Sequence, residues 1–432
     1  MSKERKLNIK VPVLARVEGA GALRIKIRQG RIKRAELDIF EPPRLFERLL
    51  VGRDYHEVPD MVARICGICP VAYQMSAVSA LEGIFGQDPG ARVQAMRRVF
   101  YCGEWIQSHA LHIHLLAAPD FLGFDSAPAM ARTYPDEVRR GLELQAVGND
   151  IIRLFGGRSV HPVGACVGGF HHTPDRPSVR QLLDKLQAAL PQAEALLRWT
   201  AALELPQDDQ AFCSVSLTHP SDYPMIGERM VSSTGLDIGI EDFEDYVNEY
   251  QVPHSTALHA LLHGETYLVG PLARMNLNQA RLPPATRELL ADCNIRFPSR
   301  NMYHSIIARA AEIHLALTEA IRLLEEDSDT QPLRITPQVR AGTGFGASEA
   351  PRGLLYHRYE VTNTGTITSA RIVPPTSQNQ ARMEQDLVTS LENYGLQHAA
   401  DALQLRAETV IRNYDPCISC ATHFLRLRVE HD

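Results

Sequence analysis

Arg64-Ile65-Cys66-Gly67-Ile68-Cys69-Pro70 near one end of the chain and Asp415-Pro416-Cys417-Ile418-Ser419-Cys420-Ala421-Thr422-His423 near the other each carry a C-x-x-C pair. In such a pair a single bend of backbone turns two sulfurs toward one ion. Roughly 350 residues separate the two pairs, so whatever they share ties the start of the fold to its end. Four thiolates converging on one site suit a soft or borderline metal such as zinc, nickel or iron.

The totals bound the setting. A chain of 432 residues can make one large domain or two to three smaller ones. Hydrophobic residues at 44% suffice for a sizeable core, and charged residues at 22% keep the surface wet. A net charge of -6 disfavours nucleic acid, whose phosphates want a basic face. No apolar run reaches the length of a membrane span. Met1-Ser2-Lys3-Glu4-Arg5-Lys6 opens on charge with no apolar signal core, so no export signal and a cytoplasmic location are expected. Beyond the two pairs, Cys102, Cys166, Cys213 and Cys293 stand alone. That is too sparse for a disulfide scaffold, and they read as small buried side chains in a reduced protein.

Along the chain, Ala22 to Arg28 alternates apolar and charged residues, Gln29-Gly30 supplies a turn, and Ile32 to Phe40 resumes the alternation. A hairpin or small antiparallel sheet is expected there. Helices are expected from Pro70 to Gly86, Ala91 to Ala118 with a gap at Gly103, Asp136 to Gly157, and Tyr303 to Glu326. Another, Pro177 to Leu203, should kink or break at Pro191. Gln338 to Ile372 reads as strands and turns, and Gln380 to Asn413 as a last helical region. The expected fold class is α+β, mainly α: a long-helix bundle core with small antiparallel β additions, in a single domain over 1–432. Within it, 1–50 is β-rich, 51–204 helical, 205–300 mixed, and 301–432 returns to the cysteines through helices and strands.

Structural zinc is the plain alternative for paired C-x-x-C motifs, but zinc staples usually span about 15–20 residues in units that lack a core. A thioredoxin-like redox site needs one such pair, not two. The flanking residues decide the matter. Arg-x-Cys-Gly-x-Cys-Pro followed at the far end by Asp-Pro-Cys-x-x-Cys-x-x-His resembles the large subunit of nickel–iron hydrogenases. Arg16-Val17-Glu18-Gly19, Arg44-Leu45-Phe46-Glu47, Val51-Gly52-Arg53-Asp54, Glu349-Ala350-Pro351-Arg352-Gly353 and Val373-Pro374-Pro375-Thr376 resemble further family segments.

The resemblance implies the rest. Nickel would be held by Cys66, Cys69, Cys417 and Cys420, with Cys69 and Cys420 also bridging to an iron that carries carbon monoxide and cyanide. Maturation proteins would make those ligands and insert nickel; the tail at 424–432 either marks a precursor that a maturation protease cleaves or is retained. Dihydrogen is a very weak acid, so splitting it needs a Lewis-acidic metal and a nearby base. Cys417 would take the proton and Glu18 would receive it next. Arg352 would lie over the open coordination position, with Pro375 and Thr376 lining a cyanide; the plainer reading of Arg352 is an ion pair with Glu349. Glu47, the Ile372 carbonyl and His423 would hold magnesium or a similar cation. The cysteines left over form no iron–sulfur pattern, so an iron–sulfur small subunit is implied. Similarity to the bidirectional and sulfhydrogenase types implies flavin-bearing, NAD(P)-linked diaphorase subunits beyond it. The competing readings are a redox-inactive scaffold like the quinone-site subunit of respiratory complex I and a zinc-stapled structural protein.

Two further signals are discounted. Gly342-Thr343-Gly344-Phe345-Gly346-Ala347 fits a loose dinucleotide fingerprint but lacks a βαβ setting. Ser108-His109-Ala110-Leu111-His112-Ile113-His114 spaces three histidines along a helix, where packing and second-rank hydrogen bonding are favoured over metal.

Overall fold

Alternation in the first forty residues produces a three-stranded antiparallel sheet of Lys6–Val11, Gly21–Arg28 and Arg31–Ile39. Leu23, Ile25 and Ile27 point into the core while Arg24 and Arg28 face solvent. Gln29 and Gly30 both adopt positive φ, the backbone a two-residue hairpin turn demands. The computed structural model describes residues 6–327 and 332–422; His423 and the 424–432 tail lie outside the described residues. About half of the chain is helix and about a fifth strand, with the sheets almost wholly antiparallel. The exception is Tyr267–Leu268, which runs parallel to Cys213–Ser214.

Four long helices, Ala91–Leu111, Pro135–Gly156, Arg176–Ala201 and Ser305–Glu326, pack on one another. The gap at Gly103 is a crossing point: a Cβ there would sit 2.9 Å from the Gly148 carbonyl oxygen, and one on Gly148 would sit 2.6 Å from that of Gly103. Past Leu111 the helix widens into a π turn, His112–Ala117, before Ala118–Leu122, so the stretch to Ala118 is not one regular helix. The Arg176–Ala201 helix runs unbroken through Pro191. Pro191 is exposed, so water can satisfy the carbonyl its missing N–H leaves free. The last helical region is two helices, Pro375–Tyr394 and Ala400–Tyr414, split at Gly395, whose φ of 102° ends the first.

Pro70–Phe85 is buried nearly all round and lies against the strand Gly342–Ala350. That contact explains the glycine-rich stretch. A Cβ at Gly344 would come within 2.2 Å of the Ala80 carbonyl oxygen, and one at Gly346 within 2.1 Å of that of Ser76. These glycines let a strand approach a helix, and they cradle no phosphate. The same strand pairs with Gly353–Val361, which pairs with Ile367–Val373. The mixed region resolves into short strands around Cys213–Thr218, a hairpin of Val247–Tyr250 with His259–Leu262, and the helices Pro271–Asn278 and Pro284–Asp292. Among the described residues no helix is long and apolar enough to cross a membrane.

Candidate metal centre

Cys69 caps the N-terminus of the Pro70–Phe85 helix, and Cys66 lies in the loop before it. Cys417 caps the four-residue helix Ile418–Ala421, which delivers Cys420. The four sulfurs come together: Cys66 to Cys417 is 3.3 Å, Cys69 to Cys420 is 3.4 Å and Cys417 to Cys420 is 2.8 Å. Each of these cysteines is at most 3% exposed, and all four are unbridged thiols. Cys102 and Cys166 are buried as expected, whereas Cys213 and Cys293 are partly exposed.

The electrostatics of this cluster call for a cation. Hydrogen bonds from the neighbouring thiols hold Cys66 well below the ordinary thiol value, while burial pushes Cys69 and Cys417 well above it and Cys420 upward. A dry pocket of four sulfurs thus ionises one thiol readily and resists the rest. A bound metal removes that resistance, because it takes thiolates as ligands.

The first cysteine loop is fixed by its surroundings. The amides of Ile68 and Cys69 both point at the Cys66 sulfur, at 3.3 and 3.4 Å. Gln107 donates to the Ile68 carbonyl at 2.6 Å. Glu104, fully buried, accepts the Val71 and Ala72 amides at 2.6 and 3.1 Å and so caps the helix that Cys69 starts. Burial pushes the Glu104 carboxyl well above its ordinary range, against the pull of those two amides.

Side chains from distant segments dock the second loop. The Ile418 amide donates to the Glu18 carbonyl at 3.1 Å, and Gly19 permits the approach, since a Cβ there would lie 2.6 Å from Ile418 Cβ. Glu18 Oε2 accepts the Ser419 amide at 3.0 Å, and the Ser419 hydroxyl donates to Oε1. Thr376 Oγ1 accepts the Cys417 amide at 3.0 Å from the first turn of the Pro375–Tyr394 helix. Arg352 donates from Nε to the Asp415 carbonyl at 2.7 Å and from a terminal nitrogen to Oδ1 at 2.9 Å. Glu349 is not its partner; that carboxylate meets Arg274 at 3.1 Å, because Arg274 reaches it from a neighbouring helix while Asp415 faces Arg352.

One buried donor beside the sulfurs, the second guanidinium nitrogen of Arg352, has no hydrogen-bond partner within the described residues, while the Tyr73 hydroxyl lies against Cys420. Burial lowers the Arg352 pKa, yet Asp415 and the neighbouring cysteine sulfurs together hold it well above the ordinary value. A fixed cation with an unmatched N–H beside four sulfurs fits a metal group that brings acceptors of its own.

The expected second cation site is half described. Glu47 Oε1 accepts the Ile372 amide at 2.7 Å, so these two residues meet. His423, the third expected ligand, lies outside the described residues. The three histidines find separate partners: His109 bonds Glu312 at 2.8 Å, His112 the Arg412 carbonyl at 2.8 Å and His114 the Ala110 carbonyl at 3.0 Å.

A residue without an assigned role also emerges. Arg44 donates to the Ile65 carbonyl at 2.6 Å and to that of Ser419, so one guanidinium ties both cysteine loops together. Its place beside Phe46 and Glu47 in a matching segment marked it, but no spacing rule reveals a contact across 375 positions.

A family model described as nickel-dependent hydrogenase matches residues 44–136 and 260–423. The chain belongs to the nickel-dependent hydrogenase family. It is 33% identical to sulfhydrogenase 1 subunit alpha of Pyrococcus furiosus, over 98% of this chain and 99% of that protein. It is 31% identical to the NAD-reducing hydrogenase HoxS subunit beta of Cupriavidus necator, covering 95% of this chain and 94% of the relative. Its fold matches a crystal structure of an NAD+-reducing [NiFe]-hydrogenase in the H2-reduced state, with TM-score 0.85, 28% identity and coverage of 96% and 99% of the two chains. Among nickel-dependent hydrogenases, then, this is a catalytic large subunit with nickel and iron at its active site. The scaffold and zinc-staple readings are not favoured.

Proposed function

We propose that Cys66, Cys69, Cys417 and Cys420 hold nickel, that Cys69 and Cys420 also bridge to iron, and that the chain cleaves dihydrogen reversibly. The convergence of four buried sulfurs within 4.8 Å carries this reading. When bound, the metals supply the Lewis acidity that makes dihydrogen a usable acid. The chain's residues supply the remainder. The Cys417 sulfur accepts the proton, and Glu18, aligned beside Cys417 in a short parallel bridge, receives it next. The Ser419 amide and hydroxyl hold the Glu18 carboxylate in place for that transfer, within hydrogen-bond reach as general acid–base exchange requires. Arg352 keeps a positive charge beside the sulfurs and offers its free nitrogen to cyanide on iron, with Pro375 and Thr376 along a second cyanide. Magnesium or a similar ion, bound by Glu47, the Ile372 carbonyl and His423, braces the chain's last described turn.

Electrons need a way out, and the cysteines left over make no cluster motif. An iron–sulfur small subunit receives them, followed by flavin-bearing subunits and NAD(P), in line with the NAD-reducing and sulfhydrogenase relatives. Gly67 in the first cysteine loop is exposed, and beside it stands Val160, 53% exposed; this open edge next to the cysteines supports the partner's approach from that side. A nickel-insertion protein loads the site and a protease removes 424–432. The complex works in the cytoplasm.

Glu18→Gln tests the proton route. The variant should lose hydrogen–deuterium exchange with dihydrogen while keeping the infrared bands of metal-bound carbonyl and cyanide. Exchange at the wild-type rate would send the proton through another group. Reduction of NAD+ or NADP+ by dihydrogen in the purified complex tests the electron carrier, and reduction of neither rejects it.

A further inference from the structure

Away from the cysteines, three side chains from three stretches of chain meet. His254 lies between the strands Val247–Tyr250 and His259–Leu262, His259 begins the second strand, and Glu384 sits midway along Pro375–Tyr394. Their ligand atoms all lie within 4.8 Å of one another. His254 Nε2 is 2.7 Å from Glu384 Oε1, and His259 Nε2 is 3.5 Å from Oε2. His259 is 1% exposed; its Nε2 is turned to Glu384, and its Nδ1 makes no hydrogen bond within the described residues. A buried imidazole left unsatisfied costs about 1–3 kcal/mol per polar group, which a core selects against unless something fills the gap.

The surroundings favour a cation. Glu36 Oε1, which the exposed Arg34 pairs from outside, stands 3.8 Å from His254 Nδ1, and the second oxygens of Glu36 and Asp38 are buried without partners. Arg24, mostly exposed, pairs with Asp38 from outside. Burial works against the Glu384 carboxylate, yet His259, His254 and the Leu37 amide hold it below the ordinary carboxylate range, so it stands as an anion. The side chains of His254 and Glu384 are 15% and 18% exposed, leaving a path from solvent and room for a water ligand.

We propose that His254, His259 and Glu384 bind a late first-row divalent cation of the zinc class, at a structural site separate from the four-cysteine centre. Two imidazoles and one carboxylate suit zinc, nickel or cobalt, whereas magnesium and calcium prefer mostly oxygen ligands. Glu36 behind His254 sits where a carboxylate orients a metal-bound imidazole. The ion fastens three pieces: the 247–262 hairpin, the N-terminal sheet through the Leu37 amide on Glu384, and the helix Pro375–Tyr394. About two helical turns separate Glu384 from Thr376, so the pin steadies the element that holds the Cys417 amide.

The assembled, metal-loaded enzyme gives the cleanest test, because its cysteines are already occupied. After a brief chelator wash, calorimetric titration with zinc should show one added site per large subunit. Affinity should fall at least tenfold in His254→Ala and in Glu384→Gln, with circular dichroism of both variants matching the wild type. Zinc should also raise the melting temperature of the wild type and of neither variant. Cobalt in place of zinc should give ligand-field bands without the intense sulfur-to-metal charge-transfer absorption of a cysteine site. No added zinc site, equal binding by wild type and variants, or a thiolate charge-transfer band would overturn the proposal and leave a cluster of hydrogen-bonding side chains only.

Discussion

The two cysteine loops reach the same point by different means. The Cys66–Cys69 loop opens a sixteen-residue helix that is buried nearly all round, and the amides at its start are satisfied by Glu104 from the adjoining helix. The Cys417–Cys420 loop rides on a four-residue helix and is held by Glu18, Thr376, Arg44 and Arg352, four side chains from four segments. One half of the clamp is therefore part of the core, whereas the other is docked onto it. Docked elements open at lower free energy than core elements. The C-terminal half is thus the half expected to open more readily before metal is bound.

Four experiments bear on that contrast, in falling order of effect. Cys420→Ser removes a proposed ligand and should abolish nickel retention while leaving the circular dichroism unchanged; retained nickel would mean the ion sits elsewhere. Glu104→Ala strips two buried amides of their acceptor and should destabilise the whole subunit by about 2–6 kcal/mol in denaturant titration. Arg44→Leu should behave in the opposite sense, with a nearly unchanged unfolding midpoint but markedly lower nickel occupancy. If Arg44→Leu unfolds the subunit and Glu104→Ala does not, the assignment of core and docked halves is reversed. Amide exchange before metal loading should be faster over 416–422 than over 69–75, and equal protection would erase the distinction.

The histidine stretch behind the site adds a gentler, pH-dependent effect. Burial lowers His109 to about 4, His112 to about 3 and His114 to about 4, from an ordinary 6.5. The unfolded chain therefore takes up protons first. The contribution of these neutral histidines is fully present above pH 6.5 and is lost as pH falls toward 4. His114→Phe, which keeps a ring against Trp199, should flatten part of that slope in melting temperature against pH. An unchanged slope would show that His114 does not titrate in this window.

Local patterns carried much of this into the sequence. The hairpin at Gln29-Gly30, the helix after Pro70 and the stripe from Tyr303 onward follow from alternation, a proline at a helix start and three-to-four spacing. What failed was set by tertiary surroundings. Pro191 does not break its helix because it faces water, and Gly395 splits the last helical region at a position that periodicity alone passes over. At the site, residue type and spacing singled out the four cysteines, and the family resemblance of Arg16-Val17-Glu18-Gly19 singled out Glu18. The Arg352–Asp415 pair and the Arg44 tie depend on contacts between residues far apart in the chain, which spacing does not encode. His254, His259 and Glu384 were invisible for the same reason, since Glu384 lies 130 positions from His254.

The central claim is that the four convergent thiolates hold nickel together with iron. Elemental analysis of the matured complex, joined to an infrared spectrum, tests it most directly. The account predicts one nickel per large subunit, with iron in excess because the small subunit's clusters carry more of it, and metal-bound carbonyl and cyanide stretches that disappear in Cys420→Ser. Zinc alone at the cysteines, or a matured complex with no nickel and no such bands, would contradict it.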